Sequence, residues 1–417
     1  MTRLGLVIIL LLCAIDSSAQ IVSEINFTGL RKTRQAFLEG IVETKVGDTL
    51  DLDQIERDVN LIKDLNLFFQ VEAEHKALES GDYSVTYRIK EATYLYPIIS
   101  IGGFQDQLQL ELGGNQINFL GKGQSLGAKY LWYDRHSFFI FNTAPRHAGR
   151  KTGHEFSLTK YSTVEPLYFQ DTTAEFNFDN YNFSAGLFYS LTPYIRFNLG
   201  GMLMYETYEQ LGTADLGLPG TEFSFFKYQI RAAAQYRKLR YHFERIEGIK
   251  SELYAETIQT DGFPEASFFK STFNFNYYKM IGKRGNLALH QRAGISSNNF
   301  SPFAPFVLDG FINVRGIGNR IERGTAELVT NLEYRHTVWR HKYFYLQTVG
   351  FADFGTLRAP GVPLEEIITN SEKHLYLGAG LRIHSRIAYN TILRVDFAGN
   401  VSDFSKNGIV FGFGQFF

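Results

Sequence analysis

Alternation between polar and apolar residues is the feature that most constrains the fold of this chain. From residue 94 to residue 417, short segments with a two-residue period are separated by turn-forming residues. In Ser125–Tyr133, the even-numbered residues from Leu126 to Trp132 lie on one face of a strand and the odd-numbered residues lie on the other. This period is that of a β-strand. At ~9–11 residues per strand plus connections, the segment accommodates about sixteen strands.

The distribution of apolar residues constrains how the chain can meet a membrane. The only long apolar run, Leu4–Ile15, follows Arg3 and precedes the small residues 17–19, which is typical of a secretory signal. Residues 1–19 are therefore predicted to be a signal peptide that is cleaved after Ala19. The run is shorter than the ~20 apolar residues that a membrane-spanning helix needs.

An exported chain without a spanning helix can enter a membrane only as a closed sheet. In lipid every backbone polar group needs a partner, and an open sheet would leave its edges unpaired. We therefore expect residues 94–417 to form an all-β transmembrane antiparallel β-barrel in outer-membrane lipid. The 38 Phe and 24 Tyr residues suit the aromatic girdles of such a barrel. A soluble β-sandwich or propeller is the alternative that alternation also allows.

Charge and cysteine content exclude several kinds of partner and site. The formal net charge is −1, so nucleic acid is not an expected partner. Cys13, the only cysteine, lies within the predicted signal, so we expect neither a disulfide nor a cysteine-ligated metal in the mature chain. A lipid-modified Cys13 is the alternative, but the bulky Leu12 occupies the position where a small residue is expected.

Residues 20–93 have a different pattern and are predicted to form a small α+β domain. The order is strand, helix, helix, strand, strand. Thr33 is predicted to cap the first helix and Asp51 the second. The apolar stripe of the second helix is predicted at Leu52, Ile55, Val59, Ile62 and Leu65.

The end of the chain is predicted to form an aromatic final strand. Phe411, Phe413 and Phe417 share one parity and are separated by glycines, so their side chains should face lipid. Outer-membrane barrels as a class end in this way, and the terminal strand is the segment that their assembly machinery recognises. The three phenylalanines are therefore a candidate C-terminal strand signal.

A glycine-flanked arginine is the strongest candidate for a functional site. Arg315 lies in a long predicted loop, and two carboxylates follow it, Glu333 and Asp353. A guanidinium can bond carboxylates of two adjacent strands at once, so the arginine could tie an inward-folded loop to the barrel wall. The alternative to this tether is that Arg315 is an ordinary loop residue exposed to solvent. The loop motif consists of Gly310, Val314, Arg315, Gly316, Ile317 and Gly324.

Alternation predicts the side of the wall for one of the two carboxylates. Leu332 and Tyr334 should face lipid, so Glu333 should face the lumen. Asp353 is ambiguous because Val349 and Phe351 share its parity, which suggests an intervening bulge.

Together these motifs resemble the BamA/TamA-type outer-membrane surface-antigen superfamily. Val314-Arg315-Gly316 matches the loop motif of that superfamily, with Ile317 in place of the usual aromatic residue, and Phe351–Gly355 resembles its aromatic-x-Asp-x-Gly strand. Residues 20–93 resemble a POTRA domain. The resemblance implies one POTRA domain in the periplasm and a sixteen-stranded barrel in the outer membrane of a Gram-negative bacterium. It makes Arg315, Gly316, Glu333 and Asp353 a tether for the lumen loop.

The resemblance also implies a function: insertion of other outer-membrane proteins, or translocation of polypeptide across the outer membrane. The POTRA edge strand would dock an unfolded polypeptide client, and a spacer or plug is its alternative role. Periplasmic or lipoprotein partners are further candidates. The seam between the first strand, near Ile98–Gly102, and the last, Gly408–Phe417, would open. A passive pore or structural surface protein, and a secretion channel for one substrate, are the rival interpretations.

Enzyme motifs are missing from the sequence, so we do not expect an enzyme. It contains no His-Glu-x-x-His helix and no phosphate-binding Gly-Lys-Ser/Thr loop. His336, His341, His374 and His384 are interpreted as lumen or interface residues because their spacing defines no metal site. No cofactor and no metal are expected.

Overall fold

The computed structural model describes residues 20–417 except 66, 103–107, 148–150, 170–171, 214–215, 217–219, 243, 263–265, 300–302, 311, 319–321, 370 and 387–391. The predicted signal peptide, residues 1–19, lies outside the described residues. None of the described helices has the length and apolar character needed to cross a membrane.

The N-terminal domain has the predicted order of elements. It consists of β1 (Val22–Thr28), α1 (Gln35–Glu39), α2 (Leu52–Lys63), β2 (Phe68–Ala77) and β3 (Tyr83–Glu91). The central strand β3 pairs parallel with β1 and antiparallel with β2. Both helices bury their apolar faces against this sheet, and Leu38, Ile62 and Val85 are fully buried in the core.

Helix α2 begins as the sequence predicts. The Asp51 carboxylate accepts hydrogen bonds from the backbone N–H groups of Asp53 and Gln54 at 2.9 and 3.2 Å, which satisfies two unpaired donors of the first turn. The apolar stripe is only partly correct. Ile62 is buried, but Leu52 is 55 % exposed because it lies at the helix start, on the solvent side.

Thr33 has a different role from the predicted cap. Arg34 precedes α1, and no side chain caps that helix. The Thr33 hydroxyl is buried instead, at 2.9 Å from both the Tyr94 hydroxyl and the Asn118 Nδ2 amide. The predicted cap is therefore wrong, because this hydroxyl joins the N-terminal domain to the barrel.

The described part of residues 94–417 forms a 16-stranded antiparallel sheet, as predicted. Its strands follow one another in sequence order, except that a long loop, residues 297–325, lies between β14 and β17 and carries its own hairpin, β15 and β16. The strands are β4 (Leu95–Gly102), β5 (Gln109–Phe119), β6 (Gln124–Tyr133), β7 (Arg135–Ala144), β8 (Thr152–Phe169), β9 (Thr172–Ser190), β10 (Ile195–Leu211), β11 (Glu222–His242), β12 (Arg245–Thr260), β13 (Phe268–Ile281), β14 (Gly285–Ser296), β15 (Phe306–Leu308), β16 (Glu322–Gly324), β17 (Ala326–Arg340), β18 (Phe344–Arg358), β19 (Lys373–Ser385), β20 (Ile392–Asn400) and β21 (Asn407–Phe413), and the short helix α3 (Glu366–Thr369) connects β18 to β19.

Strand β17 shows the predicted two-sided pattern. Leu332 and Tyr334 are 43 % and 42 % exposed on the outer face, whereas Glu333 and Arg335 are buried on the lumen side. Apolar residues outside and charged residues inside are what a lipid-embedded wall requires when its lumen is polar.

Strand β18 does not contain the suggested bulge. Val349, Phe351 and Asp353 all face the lumen, and the ladder between β17 and β18 shifts register only near Thr337 and Trp339. The suggestion was wrong because it assumed a polar lumen. Here the long loop packs on the inner wall, so apolar side chains are buried inside the barrel as well as exposed outside it.

The sheet closes between its first and last strands, and this junction differs from the others. The Ser100 Oγ hydroxyl donates a hydrogen bond to the Phe411 carbonyl at 3.4 Å, which brings β4 beside β21. No backbone ladder joins these two strands within the described residues, whereas every other neighbouring pair has one. We call this junction the seam.

The N-terminal domain packs on one end of the barrel. The Arg34 backbone N–H donates to the Gly121 carbonyl in the turn between β5 and β6 at 2.9 Å. Asp64, at the end of α2, lies 3.9 Å from the Arg237 guanidinium on β11. The domain therefore contacts both the strand turns and the inner wall at this end.

Candidate functional site in the barrel lumen

The loop between β14 and β17 folds into the lumen through tight backbone turns. The Gly310 N–H donates to the Gly318 carbonyl at 2.6 Å, which closes the loop on itself. Gly316 has a φ of +86°, and a Cβ there would lie 2.8 Å from the Ala398 carbonyl oxygen. Only glycine fits this position, because other residues would be both strained and in contact with the wall.

Arg315 bonds both predicted carboxylates. Its Nε and Nη2 atoms donate to the two Asp353 carboxylate oxygens at 2.7 and 2.8 Å, and its backbone N–H donates to the same carboxylate at 3.1 Å. Its Nη1 atom donates to Glu333 Oε1 at 2.5 Å. All three side chains are fully buried. The fork geometry thus connects the loop to β17 and β18 at once.

Two aromatic rings enclose the same guanidinium. The Arg315 Cζ atom lies 3.5 Å from the centre of the Phe351 ring and 4.2 Å from the centre of the Phe416 ring. A planar cation between two ring faces is stabilised by their quadrupoles and is shielded from water.

Further charges extend this site into a buried network. Arg335 donates to Glu333 Oε2 at 2.7 Å, and Arg382 donates to both Asp396 carboxylate oxygens at 2.6 and 3.0 Å. Asp396 also lies 3.6 Å from Arg315 Nη1. Each guanidinium therefore faces a carboxylate, which offsets the cost of removing these charges from water.

The rest of the loop motif packs against a cluster of apolar residues on the inner wall of the barrel. Val314 is fully buried and Ile317 nearly so. A Cβ at Gly324 would lie 2.6 Å from the Arg358 carbonyl, so glycine allows the loop to leave along β18. The apolar cluster consists of Phe306, Leu308, Val314, Ile317, Val329, Val349, Phe351, Leu357, Tyr376 and Ala398.

The same loop also reaches the opposite wall. The Arg323 guanidinium pairs with Glu165 on β8, which lies eight positions from β18 in the order of the sheet. Phe303 packs between Tyr208 and Phe225, with ring centroids 5.6 and 5.9 Å away. In a sixteen-stranded barrel eight positions are half the circumference, so the loop bridges the lumen.

The chain after β21 turns into the lumen as well. Phe411 is 46 % exposed on the outer face, and Phe413 has the same parity. Gly414 has a φ of +86°, and beyond it the Phe417 ring lies 5.4 Å from the His290 ring and 5.3 Å from the Arg335 Cζ atom. The outward orientation predicted for Phe417 is therefore wrong, because the turn at Gly414 ends the alternation.

Sequence reasoning missed several members of the site. Arg335 could have been found, since it lies two residues after Glu333 and therefore shares its face. Arg382 and Asp396 gave no comparable signal, because their contact depends on the register between β19 and β20. Asn331, whose Nδ2 amide donates to Asp353 at 2.8 Å, has no sequence signal beyond sharing a strand face with Glu333.

Comparison with protein families identifies the chain. Residues 20–92 match the POTRA family, described as a surface antigen variable number repeat, and residues 118–417 match the Omp85 superfamily domain. The chain therefore belongs to the Omp85 superfamily, which confirms the resemblance in the sequence. A comparison with curated proteins found no match.

Solved structures show the same fold at low sequence identity. CdiB from Escherichia coli is 13 % identical with a TM-score of 0.66, covering 95 % of this chain and 76 % of that one. CdiB from Acinetobacter baumannii is 12 % identical with a TM-score of 0.63, covering 95 % and 74 %. BamA from Haemophilus ducreyi lacking POTRA domains 1–3 is 14 % identical with a TM-score of 0.55, covering 95 % and 84 %.

Family membership sets the location and the broad class of function. The barrel lies in the outer membrane of a Gram-negative bacterium and the POTRA domain lies in the periplasm. Proteins of this superfamily act in outer-membrane protein insertion or secretion-type transport. They are transport or assembly proteins rather than enzymes.

Proposed function

We propose that this protein inserts β-strand polypeptides into the outer membrane sideways, through the seam between β4 and β21. The seam carries the proposal, because among the described strand pairs it alone lacks a backbone ladder. Its unpaired N–H and C=O groups are a template for a client strand, which can bond there without breaking existing pairs.

The filled lumen favours this sideways route over transport along the barrel axis. The loop crosses from Arg315 on one wall to Arg323 on the other. The POTRA domain packs on the periplasmic end. A polypeptide moving along the axis would have to displace both obstacles, whereas a strand entering at the seam displaces neither.

In this proposal the Arg315 site is a tether that keeps the loop in place. The charges of Arg315, Glu333 and Asp353 are neutralised where they lie, so they hold the loop rather than act on a substrate. The tether connects the loop to β17 and β18, and β18 is the fourth strand from the seam. The seam itself stays free to open.

The POTRA domain offers a first docking edge for the client. Strand β2 pairs only with β3 among the described residues, so its other edge has free backbone groups. The edge of β1 is partly covered, since the Val22 N–H donates to the Asp48 carbonyl and the Gly47 N–H donates to the Val22 carbonyl, both at 2.8 Å. We therefore place client docking at β2, by strand addition that makes little demand on client sequence.

The role of the seam in client insertion can be tested by closing it with a disulfide bond between β4 and β21. Ser100 and Val410 face inward at the seam, so Ser100→Cys with Val410→Cys is designed as a removable link in residues 20–417, which contain no cysteine of their own. The matched control is Ser157→Cys with Ser184→Cys, whose hydroxyls lie 2.8 Å apart between two laddered strands. Both variants are reconstituted in liposomes with a small unfolded β-barrel polypeptide as the client.

We expect the oxidised seam pair to lose client insertion and to recover it after reduction, while the control pair inserts clients in both states. Client insertion is measured by protection from added protease. Full insertion with the oxidised seam would contradict the sideways route and favour transport through the lumen.

A further inference from the structure

Three potential metal ligands meet where the lumen loop touches the rim of the barrel. Glu322 lies on β16 of the loop, whereas Glu372 immediately precedes β19 and His374 is the second residue of that strand. One ligand atom from each of the three side chains lies within 4.8 Å of the other two. The closest pair is His374 Nε2 and Glu322 Oε1, at 2.9 Å.

The fold brings these groups together by strand alternation. Successive side chains of β16 point in opposite directions, so Arg323 reaches Glu165 on β8 while Glu322 reaches His374 on β19. The Glu372 main chain is held as well, because the Thr356 hydroxyl donates to its carbonyl at 2.8 Å. The backbone of Glu322 is therefore held by pairing within the loop hairpin, and that of Glu372 by the bond from Thr356. His374 is only 5 % exposed.

The charge of the cluster calls for a cation. Two carboxylates face one imidazole, and among the described residues His374 is the only cationic partner of Glu322, while Glu372 has none within salt-bridge distance. With a neutral imidazole, the form that binds metals, the cluster carries two negative charges. The neighbouring Arg323 does not compensate them, because it pairs with Glu165 instead.

We propose that Glu322, Glu372 and His374 form a binding site for a divalent transition metal ion of the Zn²⁺ type. One imidazole and two carboxylates suit such an ion, and three protein ligands leave a position for water. Bonds of ~2.0–2.2 Å place ligand atoms roughly 3–3.5 Å apart. Glu372 is exposed, so its side chain can close the remaining distance.

A bound ion would fasten the loop to β19 at a point separate from Arg315. The loop would then be held at the mid-lumen tether, at the far wall and at the rim. Metal binding does not depend on the proposed sideways insertion, so the two proposals fail independently. Spacing along the chain does not reveal this site, because Glu322 and Glu372 are 50 residues apart.

The site is tested with the full chain folded in detergent and titrated with Zn²⁺ by calorimetry. We expect one Zn²⁺ per chain, and weaker binding in Glu322→Gln, Glu372→Gln and His374→Gln. Loss of a direct ligand should cost more than the about 10–100-fold that loss of an outer-sphere partner costs. His336→Gln is the matched control, because this histidine lies on the outer side near Tyr334.

A second measurement separates binding from folding. Co²⁺ replaces Zn²⁺ and gives an absorption spectrum that reports its ligands, and we expect this spectrum in the wild type and in His336→Gln but not in His374→Gln. Glu372→Gln alters an exposed side chain, so its fold should survive and its affinity loss remains decisive. Unchanged Zn²⁺ affinity in folded Glu372→Gln and His374→Gln, or no bound ion in the wild type, would overturn the proposal.

Discussion

At the residue scale, the two carboxylates that hold Arg315 depend on it to different degrees. Asp353 accepts two hydrogen bonds from the Arg315 guanidinium; without them it keeps the backbone N–H of residue 315, at 3.1 Å, and the Asn331 amide, at 2.8 Å, but no cation among the described residues. Glu333 keeps Arg335, at 2.7 Å. Removing one partner of a buried pair costs about 3–5 kcal/mol, mostly because the other charge stays buried and unpaired. The loss should therefore arise mainly at Asp353.

Arg315→Ala should loosen the lumen loop and lower client insertion while the barrel remains inserted in the membrane. Arg315→Lys should fall between the wild type and Arg315→Ala, because it keeps the charge but loses the fork. In double-mutant cycles, Asp353→Asn should recover more of the Arg315→Ala loss than Glu333→Gln does. Protease cleavage of the loop is the measurement. Simple additivity in both cycles would mean that Arg315 is an ordinary loop residue.

Some residues of this site could be predicted from the sequence, and others depend on contacts that only the folded barrel creates. Arg315 and Glu333 were predictable, since fork geometry and strand alternation are both visible in sequence. The side of Asp353 was not, because Val349 and Phe351 face inward only when a loop covers them. Asp396 enters the site through strand register, which a single sequence does not specify.

At the scale of elements, the last strand and the tail after it have different environments. Phe411→Ser should lower the amount of folded protein in the membrane, because its ring is exposed to lipid on β21. Phe417→Ser should leave that amount near the wild-type level, since its ring lies against His290 inside the barrel. Heat-resistant, fast-migrating protein on detergent gels measures the folded amount. Equal losses in both variants would favour recognition of the final Phe over lipid contact.

The loop acts as an element that bridges two walls, so releasing one end should open the lumen. Glu165→Gln removes the carboxylate that pairs with Arg323 on the far wall. We expect higher ion conductance in planar bilayers for this variant. Glu111→Gln is the control, because it removes a lumen carboxylate that pairs with Lys129 at 2.5 Å within the wall and does not touch the loop. Equal conductance in both variants would show that the far-wall contact does not seal the barrel.

Element boundaries were predictable where alternation continued and failed where a backbone turn broke it. The β17 pattern around Glu333 held from Leu328 to Thr337, whereas the final strand stopped at Phe413 rather than Phe417. The inward turn at Gly414 depends on its positive φ, and glycine permits that conformation without requiring it.

At the scale of the whole molecule, closure was predictable and the packing of the two domains was not. The sixteen strands follow from length, alternation and the need to pair every backbone group. The contact of the POTRA domain with the barrel rests on single side chains such as Thr33, whose hydroxyl reaches Tyr94 and Asn118. A threonine before a helix predicts a cap equally well, so sequence alone could not distinguish the two roles.

The closed sheet should make the protein heat-modifiable, with the seam as its weakest junction. Within the described residues, fifteen neighbouring strand pairs carry backbone ladders, and the pair of β4 and β21 does not. Unheated protein should therefore migrate faster on a detergent gel than boiled protein, because the paired sheet resists detergent until heated.

Unfolding should begin at the seam. The oxidised Ser100→Cys and Val410→Cys pair should raise the transition temperature by several degrees, since it links two strands that share no backbone ladder in the described part of the chain. The Ser157→Cys and Ser184→Cys pair should change it little, because β8 and β9 already share a ladder. Equal shifts for the two pairs would show that the seam is as strong as the rest of the wall, and would remove the physical basis for opening there.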